Sequence, residues 1–579
     1  MIVITSYLKQ SIIPLFLFLN LLGLTACNPS VEPSATVENS DSNTLRLLYW
    51  QAPTILNPHL SSGFKDSEAS RITLEPLASF NADGELIPFL AAEIPTVENG
   101  GVAADGKSVI WKLKQGIKWS DGTTFTADDV VFTHQFVTNP DVGAATAGSY
   151  QIIETVEKID DYTVKVQFKQ VNPAWFLVFV GTEGMILPRH QFQDYNDTNS
   201  RQAPANLMPI GTGAYRVVEF KPGDVVVYEP NPYFRATEPP HFQQIQLKGG
   251  GDATSAARAV LQTADADFAY NLQVEASVLN QLEAAGNGRL LSNFGALMER
   301  IVINQTDPNK ATEDGERSSL KFPHPFFSNS QVRQALSLAV DRETIANQLY
   351  GATGKPTANF IVAPQQYVSA NTEFEYNLEK AATLLDEAGW KDSNNNGIRD
   401  QNGVEMKVLF QTSVNPLRQK TQEVIKQSLE SLGIQVELKS IDPSVYFSGD
   451  PANSETLERF QADLQMYTTG NTNPDPGAYL KTYTCDQIPQ KSNNWIGDNP
   501  SRYCNPAYDQ LWQQSNTELD PEKRTQLIIQ MNDLLVENGI LIPLIHRAEV
   551  AGVSNRITGV ELTPWDLNTW KIQDWKLAE

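Results

Sequence analysis

Residues 416–438 read PLRQKTQEVIKQSLESLGIQVEL. Pro416 suits the first turn of a helix, where its missing N–H costs nothing. A helix is predicted from Pro416 to Leu432. Gly433 offers a left-handed stop, and Ile434–Leu438 alternates as a strand does. The same helix–glycine–strand unit returns downstream. There Asp520 caps a helix with Pro521 in its first turn, Gly539 ends it, and a strand follows over 540–545. Further helices are predicted over 330–351, with Val332, Leu336, Ala339 and Val340 on one face, and over 377–388, stopped by Gly389. Helices feeding strands in this order predict an α/β lobe in the second half of the chain.

The first half reads differently. Thr44–Trp50 is a short strand, and within residues 104–132 Val109, Trp111 and Leu113 alternate with Ile110, Lys112 and Lys114, a period of two. Asp105-Gly106 and Asp121-Gly122 are hairpin-type turn pairs. Thr126 caps the helix that follows. Residues 162–168 and 215–228 alternate again, the latter around a Lys221–Asp224 turn. Residues 101–108 match the pattern G-x-x-x-x-G-K-[ST]. A phosphate loop needs a strand before it and a helix after it, whereas here a strand follows, so a hairpin turn is the reading.

The composition bounds function. The 579 residues are 41% hydrophobic and 19% charged, a globular balance. Lys+Arg number 44 against 68 Asp+Glu, a net charge of −24, which disfavours nucleic acid as a partner. Neither G-x-S-x-G nor H-E-x-x-H occurs, and the six histidines include no i, i+4 pair. A hydrolase would need a triad assembled from distant residues. Residues 392–400 (DSNNNGIRD) resemble a calcium loop. Asp392, Asn394, Asn396 and Asp400 supply oxygens at positions one, three, five and nine, with Gly397 at six. Gly403 replaces the bidentate acid at position twelve. The alternative is an Asx-rich turn, and no cofactor beyond this structural calcium is expected.

The N-terminus reads as an address. Lys9 is the only charge in residues 1–27, an apolar stretch runs from Ile12 to Leu24, and Leu-Thr-Ala-Cys closes it. This is a secretory signal that resembles a lipobox, with Cys27 as the acylated residue. Residues 28–44 form a polar tether, spanning about 20–25 Å as a flexible coil. No later apolar run reaches bilayer length. Removing Cys27 from the count leaves Cys485 and Cys504. An exported compartment lets them pair; two buried free thiols are the alternative.

Seven segments carry a more specific signal. They are WKLKQGIKWSDGTTFTADDVVF (111–132), IGTGAY (210–215), NPYF (231–234), VRQALSLAVDR (332–342), KAATLLDEAG (380–389), SLGIQVEL (431–438) and PDPGAYL (474–480). In this order they resemble the extracellular solute-binding proteins of family 5, the peptide-, nickel- and opine-binding family, from residue 45 to the end. The resemblance implies an α/β, two-lobed periplasmic-binding-protein fold of the class II type, extended by an inserted subdomain. Lobe I would take 45–76, 207–298 and 546–579, the insertion 77–206, and lobe II 299–545, with hinges near Arg300 and Pro543. It also implies a disulfide between Cys485 and Cys504.

The resemblance further implies the activity: a lipid-anchored binding protein, exported to the outer face of the cell membrane, that hands peptides to an ATP-binding-cassette permease heterodimer with its ATPase subunits. A monomer is expected. An oligosaccharide, opine or chelated nickel is the alternative ligand, and a signalling lipoprotein the alternative role. Tyr467, Thr468, Thr469, Gly470 and Asn471 fall where the family pairs with ligand backbone. Peptide-binding members carry an aspartate there for the ligand's α-ammonium, and this chain has Gly470, or Asn471 if the loop slips by one. Asp475 is the nearest acid, although its family counterpart is structural in character. Trp50, Asn57 and Arg418 complete the candidate set, Arg418 as a hand for a ligand carboxylate. Trp565 and Trp570 read as core.

Overall fold

The computed structural model describes residues 43–50, 52–61, 63–447, 453–495 and 497–579. The signal segment, Cys27 and most of the tether lie outside the described residues. Two mixed sheets form the two lobes. The first has the strand order 288–293, 549–554, 268–269, 44–49, 244–249, 225–230 and 215–221. The second runs 354–356, 541–547, 298–303, 464–469, 407–413 and 435–441. A three-stranded antiparallel sheet (108–112, 163–168, 153–160) forms the inserted subdomain.

Alternation in the sequence becomes alternation in burial. In Thr44–Tyr49, Leu45, Leu47 and Tyr49 are buried and their neighbours half-buried. The strand is held in parallel register on both sides, by Phe268–Ala269 and Gln244–Gly249. In Ser108–Lys112 the inward residues are Val109 and Trp111, which join Trp119, Phe125 and Phe136 in the subdomain core. The helix Ala127–Thr138 begins with a reciprocal capping box. Thr126 Oγ1 accepts from the Asp128 amide, and the Asp129 carboxylate accepts from the Thr126 amide at 3.0 Å. Such a cap is worth about 1 kcal/mol. Residues 101–108 form a hairpin turn with Gly106 at φ 66°, and Val102 bridges Val109.

The second lobe keeps the helix–glycine–strand units. Pro416–Ser431 is helical, Gly433 takes φ 78°, and Gln435–Ile441 pairs in parallel with Lys407–Ser413. The continuous helix expected over 330–351 is broken. The helix Ser330–Leu338 ends at Ala339, and Asp341 recaps a separate turn by accepting from the Thr344 amide. Ala339 and Val340 stay buried, so the apolar period runs on through a break in the backbone.

The chain passes between the sheets at residues 294–297 and again at Ala548. Arg300 and Pro543, expected near the hinges, lie inside the second sheet and are paired with each other. Met298, His546 and Arg547 also belong to that sheet, a shift of one to two residues from the boundaries read in the sequence. The two passages are bonded together. The Arg547 amide donates to the Leu297 carbonyl at 2.9 Å, and His546 Nε2 meets the Gly295 carbonyl at 2.6 Å. Burial holds the His546 imidazole below its ordinary pKa, so the neutral ring with Nε2 protonated suits this bond. No helix among the described residues is long and apolar enough to cross a membrane.

Candidate functional site

The strand Leu464–Thr469 lies in the middle of the second sheet. Met298–Ile303 pairs with it along its whole length, but Lys407–Ser413 pairs with it only as far as Met466. Beyond that point the side chains are already committed. Tyr467 covers the Arg300 guanidinium, 5.4 Å from its ring centroid. Thr468 Oγ1 donates to Glu299 Oε2, and the Thr469 carbonyl accepts from Arg300 Nη2 at 2.6 Å. Gly470 lies against the first interlobe passage: a Cβ there would stand 2.0 Å from the Ala296 carbonyl oxygen. Asn471 is buried. Its Nδ2 donates to the carbonyls of Ala363 and Asn473, and its Oδ1 has no partner among the described residues.

The backbone then becomes available. The amides of Asn471, Thr472 and Asn473 donate to no group among the described residues. Asn471 is buried and Asn473 half-buried, where an N–H without a partner is uncommon, whereas Thr472 is exposed. Thr472 and Asn473 line a cavity of about 440 Å³ between the lobes, a size typical of small-molecule sites. One wall is the inserted subdomain, with Phe80, Leu177 and Val178 as its apolar surface and Lys169 and Glu183 as its charges. The opposite wall is the second lobe, with Ala478, Lys481 and Trp512. Trp565, on the return segment, closes the floor. A second hollow of about 350 Å³, between residues 514 and 530, is confined to one lobe and meets none of these groups.

The lobes touch on both sides of this cavity. Asn415 Nδ2 donates to Gln273 Oε1 at 3.0 Å, and Lys420 pairs with Glu275 at 2.7 Å. On the far side the Gly106 turn packs on Leu519, and the Gly84 turn meets Pro474.

Several expected ligand groups are occupied by the protein itself. Arg418 is buried. Its Nε lies 3.0 Å from Glu299 Oε1, and its Nη atoms donate to Ser413 Oγ and Thr468 Oγ1. It is the counter-ion of Glu299, not a hand for a ligand carboxylate. Asp475 faces the cavity wall but is paired with both Nη atoms of Arg524 and accepts from the Gly477 amide. Asn57 is fully buried. It caps a short turn through the His59 amide and bonds Asn206 Oδ1. Trp50 packs on the first-lobe core and donates to the Asn271 carbonyl. Neither lines the cavity. Trp565, read as core, is both buried and a cavity wall, whereas Trp570 is core.

The calcium-like loop spends its oxygens internally. Asp392 accepts from the amides of Asn396 and Gly397, Asp400 from the amide and hydroxyl of Ser393, and Asn394 Oδ1 from the Asn396 amide. Asn396 Oδ1 accepts from the Ile398 amide. These are the bonds of an Asx-rich turn, and Gly403 leaves position twelve of the calcium pattern without a side-chain oxygen. Among the described residues no three His, Cys, Asp or Glu side chains are grouped as a metal site requires. Cys485 and Cys504 are disulfide-bonded beside the second wall.

Lys169, Glu183, Lys481, Trp512 and Phe80 were invisible as site residues in the sequence. No spacing links them, because two parts of the fold, the subdomain and the second lobe, bring them together.

The model of the bacterial extracellular solute-binding proteins, family 5, matches residues 85–490. The oligopeptide-binding protein AppA of Bacillus subtilis is 28% identical over 400 residues, 67% of each chain. The structure of that protein with a nonapeptide matches 93% of this chain and 99% of its own, with TM-score 0.74 and 24% identity. NikZ of Campylobacter jejuni, solved with Ni(L-His), matches 92% and 99%, with TM-score 0.75 and 22% identity. These likenesses establish the two-lobed α/β fold, and the family match covers well over half the residues. The chain therefore belongs to the bacterial extracellular solute-binding proteins of family 5, which serve transporters and are not enzymes.

Proposed function

We propose that this protein captures peptides in the interlobe cavity and delivers them to an ATP-driven importer, anchored to the membrane through an acylated Cys27. The observation that carries the reading is the row of unpartnered amides at Asn471, Thr472 and Asn473, two of whose residues line the cavity. A peptide laid along this loop supplies carbonyls to those N–H groups, extending the hydrogen bonding of the Leu464–Thr469 strand. The apolar wall at Phe80, Leu177, Val178 and Trp565 covers side chains without selecting one. AppA, with its nonapeptide, supports the same class of ligand.

Recognition of a free amino terminus is weak on this reading. Gly470 has no side chain, Asp475 is neutralised by Arg524, and Asn471 offers a neutral acceptor. The test is a thermal-shift and calorimetric screen of residues 28–579 with di- to octapeptides and their N-acetylated forms. Opines, oligosaccharides and nickel chelates complete the screen. A ligand at 100 times its dissociation constant stabilises by about 2.7 kcal/mol. Free and acetylated peptides are expected to bind within a few-fold of each other. Binding of an opine, sugar or metal chelate with no response to any peptide would retire the peptide assignment and leave the transport role.

A further inference from the structure

We propose that the interlobe cavity selects ligands carrying negative charge, held between Lys169 on the subdomain wall and Lys481 on the second-lobe wall. This rests on the cavity being the ligand site. The inference comes from a charge account of the lining. Its three bases outnumber its two acids, a formal net charge of +1 in which only Asp475 is neutralised by an ion pair and Glu183 keeps its charge. Asp475 is in a two-pronged pair with Arg524, and Glu183 accepts from the Ser149 hydroxyl. Of its three bases, only Arg524 is paired.

Lys169 Nζ donates to the Gln151 carbonyl at 2.7 Å and makes no ion pair among the described residues. Two of its three N–H groups are left over. Lys481 Nζ makes no hydrogen bond or ion pair among the described residues and stands 5.7 Å from the centre of the Trp512 ring. Asp486 and Asp498 lie near Lys481, and His134 near Lys169, but none forms an ion pair with its neighbouring lysine.

The chain carries 68 acids against 44 bases, so surface lysines readily find carboxylates. Lys112, Lys158, Lys380, Lys420 and Lys439 all do so. Among the described residues Lys107, Lys165, Lys248 and Lys321 do not, so an unpaired lysine is ordinary here; what sets Lys169 and Lys481 apart is that both line one cavity. They also sit on different lobes. Like charges brought together by closure repel, and an anion between them reverses the sign. A negatively charged ligand would therefore both bind the walls and favour the closed form.

The experiment compares N-acetyl-Ala-Glu-Ala with N-acetyl-Ala-Gln-Ala, each as free acid and carboxamide, by calorimetry at two salt concentrations. Tricarballylate is the non-peptide probe. Wild type is set against Lys169→Gln, Lys481→Gln and the double variant. Both lysines are outside the packed core, so the variants fold. The acidic peptide is expected to bind about tenfold tighter than its fully amidated counterpart. That gap should narrow with salt and fall below about twofold in the double variant. Peptide binding with no acid preference, or a preference that survives the double variant, overturns the charge inference and leaves the peptide reading intact. Lysine-dependent binding of tricarballylate with no peptide binding keeps the charge inference and removes the peptide reading. Binding of neither probe class overturns both.

Discussion

At Gly470 an added Cβ would stand 2.0 Å from the Ala296 carbonyl oxygen and 2.5 Å from its carbon, both backbone atoms of the first passage between lobes. Neither atom yields as a side chain does, so this chain has no room for the aspartate that peptide-binding relatives are expected to carry. Gly470→Asp should cost about 3 kcal/mol or more in urea denaturation and create no preference for free amino termini. One residue on, Asn471 offers a different reason for lacking a charge. Its Nδ2 satisfies two carbonyls, which a carboxylate would repel. Asn471→Asp should therefore fold at a cost of roughly 1–2 kcal/mol. It should also bind free-amine peptides about tenfold better than acetylated ones, an ammonium–carboxylate bond being the stronger kind. Equal affinities in that variant would place the ligand's amino end elsewhere. A second residue sets an acid limit on the fold. His59 is fully buried between Thr146 Oγ1 and the Met185 carbonyl, and burial lowers its pKa to about 4. The unfolded imidazole, near 6.5, takes up a proton first. Stability is therefore lost as pH falls from about 6.5 to 4, by about 3 kcal/mol if the whole shift is expressed. His59→Gln should flatten that part of the stability–pH curve relative to wild type.

Elements were legible where local chemistry decides them. Thr126 and Asp520 cap the helices their positions announce, because a side-chain oxygen meeting an N-terminal amide needs no tertiary partner, and Asn415 does the same for Pro416–Ser431 although no cap was read there. The break at Ala339–Asp341 was not legible. The apolar period continues through it, and only the packing shows that Asp341 begins a new turn. The Asx-rich loop at 392–400 shows the same limit in reverse. Its spacing imitates a calcium loop, yet the oxygens close on their own backbone. Calcium at roughly 1 mM, enough for weak extracellular sites, should leave the melting temperature unchanged. A calcium-dependent rise would mean that the loop refolds around the ion. The disulfide is a prediction of the opposite sign. It closes a loop of 18 intervening residues between two short turns, and a chain-entropy estimate gives about 3 kcal/mol. Cys485→Ser with Cys504→Ser should lose about that much in denaturant. A much smaller loss would mean that the core around Tyr483, Tyr503 and Tyr508 holds this region without it.

Closure belongs to the whole molecule, and so does the cavity. The strands and helices of each lobe follow from their own segments. The site joins the subdomain wall, the second lobe and a tryptophan near the C-terminus, so no local pattern could announce it. Motion between the lobes is confined by the two passages. They are hydrogen-bonded to each other through Arg547 and His546, so neither can swing alone, and a hinge rotation about the pair is the low-cost movement. Opening must break what spans the cleft: the Asn415–Gln273 bond and the Lys420–Glu275 pair on one side, the contacts of Gly106 and Gly84 on the other. The Lys420–Glu275 pair is exposed and the Asn415–Gln273 bond part-buried, and such contacts are each worth about 0.2–1.5 kcal/mol. That is too little to hold the molecule shut and enough to change how long it stays shut. A Gln273→Ala, Lys420→Ala variant should nearly keep the wild-type melting temperature without ligand, since it leaves the Asn415 cap in place and neither side chain belongs to a core. It should release a bound peptide about three- to tenfold faster, with association nearly unchanged, because the contacts form after encounter. Stopped-flow displacement gives both rates. A slower association at unchanged release would mean that these residues guide entry, and the latch role would fall.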